Sequence, residues 1–174
     1  MKLVVITGMP AAGKNIAAQY AQAHQYPHFS TGDFVRTEIK KRGLNVDSET
    51  SARISTELRG KDGLGVTRIV VDEALKQKAD VVFLEGIRSW PEIELIRSKA
   101  YCTLVAVVAP RKLRLDRIKQ RGRGDDSADH FENRDQREID YGVAVCIARA
   151  DAYVLNTGSM DDALRQFDEI INNL

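Results

Sequence analysis

The 174-residue sequence has little cysteine and histidine, and no excess of charge of either sign. The two cysteines, Cys102 and Cys146, stand far apart in apolar stretches, so we predict buried core residues and neither a disulfide nor a metal site. The three histidines share no metal-ligand spacing. Because 26 Lys and Arg nearly balance 25 Asp and Glu, no global field would hold the chain on nucleic acid or an anionic membrane. Any anion site must therefore be built locally.

A long hydrophobic run is absent as well. The apolar segment at the start of the sequence breaks at Thr7 and Gly8, short of the core of a signal peptide, and the run at 104–109 is too short to span a bilayer. We therefore expect a cytoplasmic protein without membrane contact. The sequence also lacks a linker rich in Pro, Gly or Ser, so we predict a single domain over 1–174. The oligomeric state stays open.

The sequence does contain apolar runs that alternate with helical patterns. Residues 2–7, KLVVIT, form a nearly uninterrupted β-branched run, as expected for a parallel strand buried on both faces. Such alternation predicts an α/β fold, a doubly wound parallel sheet with helices on both faces, whose ligands bind at the carboxyl ends of the strands. Further strands are predicted at 27–30, 80–84, 101–109 and 152–155, and helices at 14–25, 32–42, 48–59, 65–78, 91–99, 111–120 and 160–173.

The pattern Gly8-x-x-x-x-Gly13-Lys14 directly follows the first predicted strand and opens a helix. In that context glycines let backbone N–H groups wrap a phosphate, and the lysine adds a full positive charge at the helix N-terminus. A plain glycine turn with a surface lysine is the alternative. We predict that this loop binds ATP, through Gly8, Met9, Pro10, Ala11, Ala12, Gly13, Lys14 and Asn15.

Three residues of this loop depart from the usual pattern. Asn15 stands where a hydroxyl normally binds Mg²⁺, and its amide oxygen is a neutral, bulkier ligand for the same ion. Ala11 and Ala12 stand where glycine and serine are usual, which leaves less room for the loop to close on phosphates. We expect phosphate binding to survive these changes, whereas the speed of catalysis stays open.

The stretch HFSTGDFVR at 28–36 closely resembles the acceptor-binding segment of adenylate kinases and other nucleoside-monophosphate kinases. By that resemblance Thr31, Gly32 and Arg36 would hold the acceptor nucleotide, with Arg36 on its phosphate. Taken alone, the same residues make a helix N-cap followed by an ordinary surface arginine.

The stretch VVFLEGIRS at 81–89 resembles the D-G-x-x-R segment of adenylate kinases, with one residue fewer between the glycine and the arginine. Glu85 would hold a metal-bound water or accept a proton, and Arg88 would clamp an acceptor phosphate. The alternative is a solvated charge pair at the end of a strand.

The composition changes over RGRGDDSADHFENRDQRE, residues 121–138, which is charged and lacks aliphatic residues. We predict a solvated loop or a lid. In a lid, Arg121 and Arg123 would neutralise the transferring phosphoryl group and help exclude water. A charge run is more often only a solvated face.

The stretch ADAYVLNTGS at 150–159 places Asn156 just past the last predicted strand. A contact with the nucleotide base is predicted there, with a simple Asn-Gly turn as the alternative.

Together these motifs resemble the P-loop kinases of the adenylate-kinase and dephospho-CoA-kinase group. They are most similar to an archaeal family of adenylate-kinase-related proteins, which shares the G-M-P opening, the E/D-G-I-R-S stretch, the R-x-D-D segment and an R-D-x-R-E helix. The typical loop of that family reads G-M-P-G-S-G-K-S, so this chain departs at Ala11, Ala12 and Asn15. The resemblance implies a central parallel sheet, an acceptor-binding helical segment over about 31–65, and a lid over about 121–138.

We therefore expect an ATP- and Mg²⁺-dependent phosphotransferase with a nucleotide-like acceptor, in which Glu85 and Asn15 organise the metal. An acceptor phosphate needs only positioning, whereas an acceptor hydroxyl must lose a proton to a carboxylate, for which Asp33 and Glu85 are the candidates. Thr31 and Arg36 favour a phosphate acceptor, whereas the ending ADAYVLNTG resembles dephospho-CoA kinases, which transfer to a ribose hydroxyl. A catalytically weak nucleotide-gated binding module is a further alternative, supported by Asn15. The balanced charge weakens the case for a nucleic-acid-processing NTPase.

Overall fold

The computed structural model describes residues 1–121 and 128–174. Within them, five parallel strands form one sheet in the order β2-β3-β1-β4-β5. The strands are β1 (Lys2–Thr7), β2 (His28–Ser30), β3 (Val81–Glu85), β4 (Cys102–Val108) and β5 (Ala152–Leu155). β1 lies at the centre, and its residues from Leu3 to Ile6 are fully buried, which explains an apolar sequence without alternation. The predicted strands are confirmed, to within a residue at each end.

Helices cover both faces of this sheet. Successive residues of a strand point to opposite faces, so Leu3 and Val5 join one apolar cluster while Val4 and Ile6 join another. Helices α1 and α9 pack on the second cluster, and α2, α4 and α5 pack on the first. The doubly wound α/β fold is therefore confirmed. The helices are α1 (Asn15–Ala23), α2 (Thr31–Lys41), α3 (Ser48–Arg59), α4 (Gly65–Leu75), α5 (Trp90–Lys99), α6 (Arg111–Arg121), α7 (Ala128–Tyr141), α8 (Val143–Ala148) and α9 (Met160–Asn172).

The charged stretch is helical from residue 128 onward, so the prediction of a solvated loop is wrong for that part. Helix α7 buries Phe131 completely and Asp135 almost completely. A helix held by one aromatic ring and one buried carboxylate presents no apolar stripe, which is why periodicity did not reveal it. The R-D-x-R-E helix implied by the family resemblance, at 134–138, is confirmed.

Both cysteines lie in the core with free thiols, as predicted. Burial raises the pKa of Cys146 to about 11, so this thiol stays protonated at neutral pH. Over 1–121 and 128–174, no helix is long and apolar enough to cross a membrane.

Candidate active site

The phosphate loop connects β1 to α1 and takes a backbone shape that requires glycine at two positions. Gly8 has a φ of +150° and Gly13 a φ of +95°. A Cβ on Gly8 would lie 2.4 Å from the Val107 carbonyl oxygen, and one on Gly13 would lie 2.0 Å from the amide nitrogen of Asn156. Ala11 has a φ of +59°, so the loop imposes a left-handed conformation on an alanine.

The carbonyl oxygens of this loop, from residue 8 to residue 12, accept hydrogen bonds from side chains. The bonds run from Lys14 Nζ to Gly8 O (2.7 Å) and Met9 O (3.2 Å), from Arg114 Nη1 to Pro10 O (3.0 Å), from Arg117 Nη1 to Ala11 O (3.4 Å) and Ala12 O (3.2 Å), and from Asn156 Nδ2 to Ala12 O (2.8 Å). The N–H group of Ala12 donates to the Met9 carbonyl at 3.2 Å, and the other N–H groups of such a loop are suited to bind an anion. Asn156, predicted to contact the base, thus lies buried against the phosphate loop.

The N-terminus of α1 differs from those of α2, α3, α5 and α9 and shares its lack of a side-chain cap with α4 and α8. Its first turn has no side-chain cap and no acidic residue. Side chains accept hydrogen bonds from the first turns of the helices that follow Ser30, Asp47, Ser89 and Ser159. An uncapped helix N-terminus with a lysine at its start is suited to bind a phosphate.

Lys14 lies among charges of both signs. Burial lowers the pKa of its ammonium group, whereas the carboxylates of Glu138 and Glu85 act in the opposite direction. The guanidinium groups of Arg88 and Arg134 add to the lowering. The structure therefore brings the phosphate loop, the end of β3 and helix α7 together around this lysine.

The ends of β2 and β3 lie side by side, because Ser30 pairs with Glu85 in the sheet register. Thr31 Oγ1 donates to the Gly86 carbonyl at 3.1 Å, and Gly86 has a φ of +90°. Glu85 Oε2 is 3.3 Å from Nε2 of His28, a buried nitrogen that makes no aligned hydrogen bond among the described residues. The sequence predictions for Thr31 and Glu85 thus fall at one place, the carboxyl edge of the sheet.

The two arginines predicted to hold the acceptor both have carboxylate neighbours. Arg36 Nη2 donates to Asp33 Oδ1 at 2.6 Å on an exposed face of α2. Arg88 Nε lies 3.4 Å from Glu138 Oε2, and its guanidinium lies 5.7 Å from the centre of the Tyr141 ring.

A cavity of about 220 Å³ lies beside Arg88, with Arg59, Asp140 and Tyr141 in its wall. A larger cavity of about 780 Å³ includes Tyr101, Cys102 and Ala152, at the amino ends of β4 and β5. That cavity lies at the amino edge of the sheet, whereas Lys14 and Arg88 follow strands at the carboxyl edge.

A buried ion pair fixes α7 to α6 and to the loop. Arg114 donates to both carboxylate oxygens of Asp135, with Nη1 2.6 Å from Oδ1, and the same Nη1 donates to the Pro10 carbonyl. Both side chains are almost fully buried. Their pairing makes the position of α7 depend on the phosphate loop.

Sequence reasoning missed several residues of this site. Arg114 carried no signal, because an arginine that bonds a backbone carbonyl looks like any surface arginine, and Arg117 was expected among the arginines of a lid. Asp135 and Glu138 lie in the R-D-x-R-E helix, so the resemblance offered a signal that was not used at residue level. Arg123 lies outside the described residues, as does the side chain of Arg121, and their predicted role in a lid stays a prediction.

Comparison with known proteins gives the family. A family model described as an AAA domain matches residues 4–140. A UPF0200 protein of Methanocaldococcus jannaschii is 40% identical, over 100% of this chain and 93% of that protein. The chain belongs to the UPF0200 family. A UPF0200 protein of Thermococcus kodakarensis is 35% identical, over 99% of this chain and all of that protein. The predicted membership of an archaeal kinase-related family is thus confirmed.

Solved structures show the same fold as this UPF0200 protein. TT1252 from Thermus thermophilus matches 99% of this chain and 97% of its own, with a TM-score of 0.68 and 21% identity. Shikimate kinase from Aquifex aeolicus matches the same shares, with a TM-score of 0.58 and 14% identity. The fold is that of the P-loop kinases.

Proposed function

We propose that this UPF0200 protein is an ATP- and Mg²⁺-dependent phosphotransferase that acts on a nucleotide-like small molecule. One observation carries the proposal: the N-terminus of α1 is uncapped, behind a loop whose carbonyl oxygens are held by side chains. The loop N–H groups and Lys14 would bind the β- and γ-phosphates. The P-loop kinase-like fold supports the same assignment.

The residues at the site fit Mg²⁺ that arrives with the nucleotide. Mg²⁺ usually takes one or two protein ligands, substrate phosphates and several waters. Glu85 offers a partly exposed carboxylate at the end of β3, and Asn15 offers an exposed amide at the start of α1. In the part of the chain that the structure describes, no cluster of three or more His, Cys, Asp or Glu side chains would hold a metal unaided. When bound, the ion would neutralise charge on the phosphates.

The remaining residues would position the acceptor and the transferring phosphoryl group. Arg88 and Thr31 lie at the carboxyl edge of the sheet, where an acceptor would bind next to the γ-phosphate. Arg36 would reach the acceptor from α2 after releasing Asp33. Arg121 and Arg123 would approach from the lid. Exclusion of water by these groups would favour transfer over hydrolysis.

Replacement of Lys14 by alanine tests the proposal. We expect turnover to fall about 10²–10³-fold, because a preorganised charge on the transferring phosphoryl group is lost. ADP release from MgATP would be measured with AMP, CMP, UMP, GMP or dephospho-CoA, and without acceptor. Lys76→Ala is the control, since Lys76 forms an exposed ion pair with Glu73 on α4, away from the loop. An unchanged rate in Lys14→Ala, with circular dichroism confirming a folded protein, would refute the proposed function.

A further inference from the structure

The charges around Arg88 suit a neutral nucleophile better than an anionic one. The predicted acceptor-phosphate ligands, Arg36 and Arg88, are each next to a carboxylate, at 2.6 Å and 3.4 Å. The Arg36 pair lies at the surface, whereas Glu138 beside Arg88 is only 18% exposed. An acceptor phosphate would carry the same sign of charge as Glu138 and would have to displace it from Arg88.

Helix α7 places the carboxylate of Glu138 next to Arg88. Asp135, less than one turn earlier on α7, is locked to Arg114 and through it to the Pro10 carbonyl. The position of Glu138 is therefore fixed relative to the phosphate loop. Burial lowers the pKa of the Lys14 ammonium group, and the carboxylates of Glu138 and Glu85 both oppose that effect. Glu138 thus lies near both the lysine that would bind ATP and the arginine that would bind the acceptor.

The cavity beside Arg88 offers space for part of an acceptor. Its wall includes Tyr141, which follows Glu138 on α7 and has the guanidinium of Arg59 4.9 Å from its ring centre. The three acidic groups of the wall are already bound: Asp62 to Arg68, Glu92 to the N–H groups of residues 88 and 89, and Asp140 to Gln136. Arg59 and Arg88 are therefore the wall's charged donors for a polar or anionic part of the acceptor distant from the reacting atom.

We propose that Glu138 is the general base of this kinase and that the acceptor reacts through a hydroxyl group. In the step, the acceptor oxygen forms a bond to the γ-phosphorus of ATP, and the bond from that phosphorus to the β–γ bridging oxygen breaks with its electron pair leaving on ADP. The hydroxyl proton passes to a carboxylate oxygen of Glu138 and then to solvent. This inference rests on the proposed function.

The other two carboxylates are less suited to the same role. Asp33 is 65% exposed and bound to Arg36. Glu85 is the last residue of β3, lies beside His28 and is the candidate ligand for the metal. A general base must come within about 2.6–3.2 Å of the hydroxyl that it deprotonates. Glu138 is the described carboxylate that acts on Lys14 and also contacts Arg88, and its single 3.4 Å contact with Arg88 is loose enough for it to accept that proton.

Water can report on the base without knowledge of the natural acceptor, because water is itself a hydroxyl nucleophile. Single-turnover hydrolysis of MgATP would be measured for the full-length wild type, Glu138→Gln, Glu138→Asp and the control Glu73→Gln. Glu73 forms an exposed ion pair on α4, so its variant makes the same charge change away from the site. We expect Glu138→Gln to be about 10²–10⁴-fold slower, with undiminished ATP binding, and Glu138→Asp to recover part of the rate. The control should match the wild type.

The acceptor panel supplies a second arm, in which phosphorus NMR identifies the bond formed. A phosphomonoester on a hydroxyl supports the inference, and its formation should also need Glu138. A phosphoanhydride on a nucleoside monophosphate would overturn the inference and leave the proposed function intact. Hydrolysis of ATP by Glu138→Gln at the wild-type rate or faster would likewise overturn the inference. It would show that Glu138 only occupies the place of an acceptor phosphate next to Arg88. A wild type without any turnover would instead refute the proposed function itself.

Discussion

Arginine–carboxylate pairs join α7 to the rest of the molecule, and two of them, Arg114–Asp135 and Arg88–Glu138, differ in burial and in geometry. Arg114 and Asp135 are 6% and 10% exposed and share two hydrogen bonds. Arg88 and Glu138 are 38% and 18% exposed and meet at a single distance of 3.4 Å. The first pair also bonds the phosphate loop, whereas the second borders a cavity. The tight pair fixes the helix, and the loose pair leaves the carboxylate of Glu138 able to accept a proton.

This difference follows from the energetics of charge. A buried charge that loses its partner cannot recover solvation by water, so breaking a buried pair costs much more than the pair contributes. A partly exposed ion pair contributes little to stability, because water screens both charges. One helix can therefore be held firmly at Asp135 and still present a reactive carboxylate at Glu138.

Asp135→Ala should have the largest effect on stability. It leaves the Arg114 guanidinium buried without its carboxylate, which should lower the free energy of unfolding by about 3–5 kcal/mol. Equilibrium denaturation with urea measures the change. Glu138→Ala, on the same helix, is the matched control and should change that free energy by no more than about 1 kcal/mol. Equal losses in the two variants would show that the two pairs do not differ as their burial indicates.

Replacing both partners of the buried pair sharpens the comparison. Arg114→Met combined with Asp135→Leu removes both charges, and such an exchange is often neutral or stabilising. We expect unfolding stability to return close to that of the wild type. The hydrogen bond to the Pro10 carbonyl would still be missing, so ATP binding, measured by calorimetry, should stay weaker. Full recovery of both properties would show that the pair does not position the phosphate loop.

The same contrast explains what the sequence revealed. β1 was predictable because burial on both faces leaves an uninterrupted apolar run. The phosphate loop was predictable because glycine spacing is local. Helix α7 was not, because the charge on Asp135 is balanced by Arg114, 21 residues away in the chain. Sequence reasoning treats such charges as solvated, and only the folded chain shows which of them are buried.

Ala11→Gly should have the smallest effect on stability, and it tests whether the phosphate loop carries backbone strain. Ala11 has a φ of +59°, where an L-residue costs about 1–2 kcal/mol. Glycine removes that cost. It also adds conformational entropy to the unfolded chain, which reduces the gain in stability by about 0.4–1 kcal/mol. We therefore expect a gain in unfolding free energy of up to about 1 kcal/mol, measured with urea.

Gln25→Gly is the matched control for this loop change. Gln25 has a φ of +58° at the end of α1, so it carries the same backbone conformation without a buried pair behind it. The two substitutions should give similar gains in the wild type. In the Asp135→Ala background, the gain in unfolding free energy from Ala11→Gly should be smaller, because a phosphate loop that is no longer held by Arg114 can relax. The gain from Gln25→Gly should be unchanged. A gain at position 11 that does not change would mean that the loop keeps its shape without the buried pair.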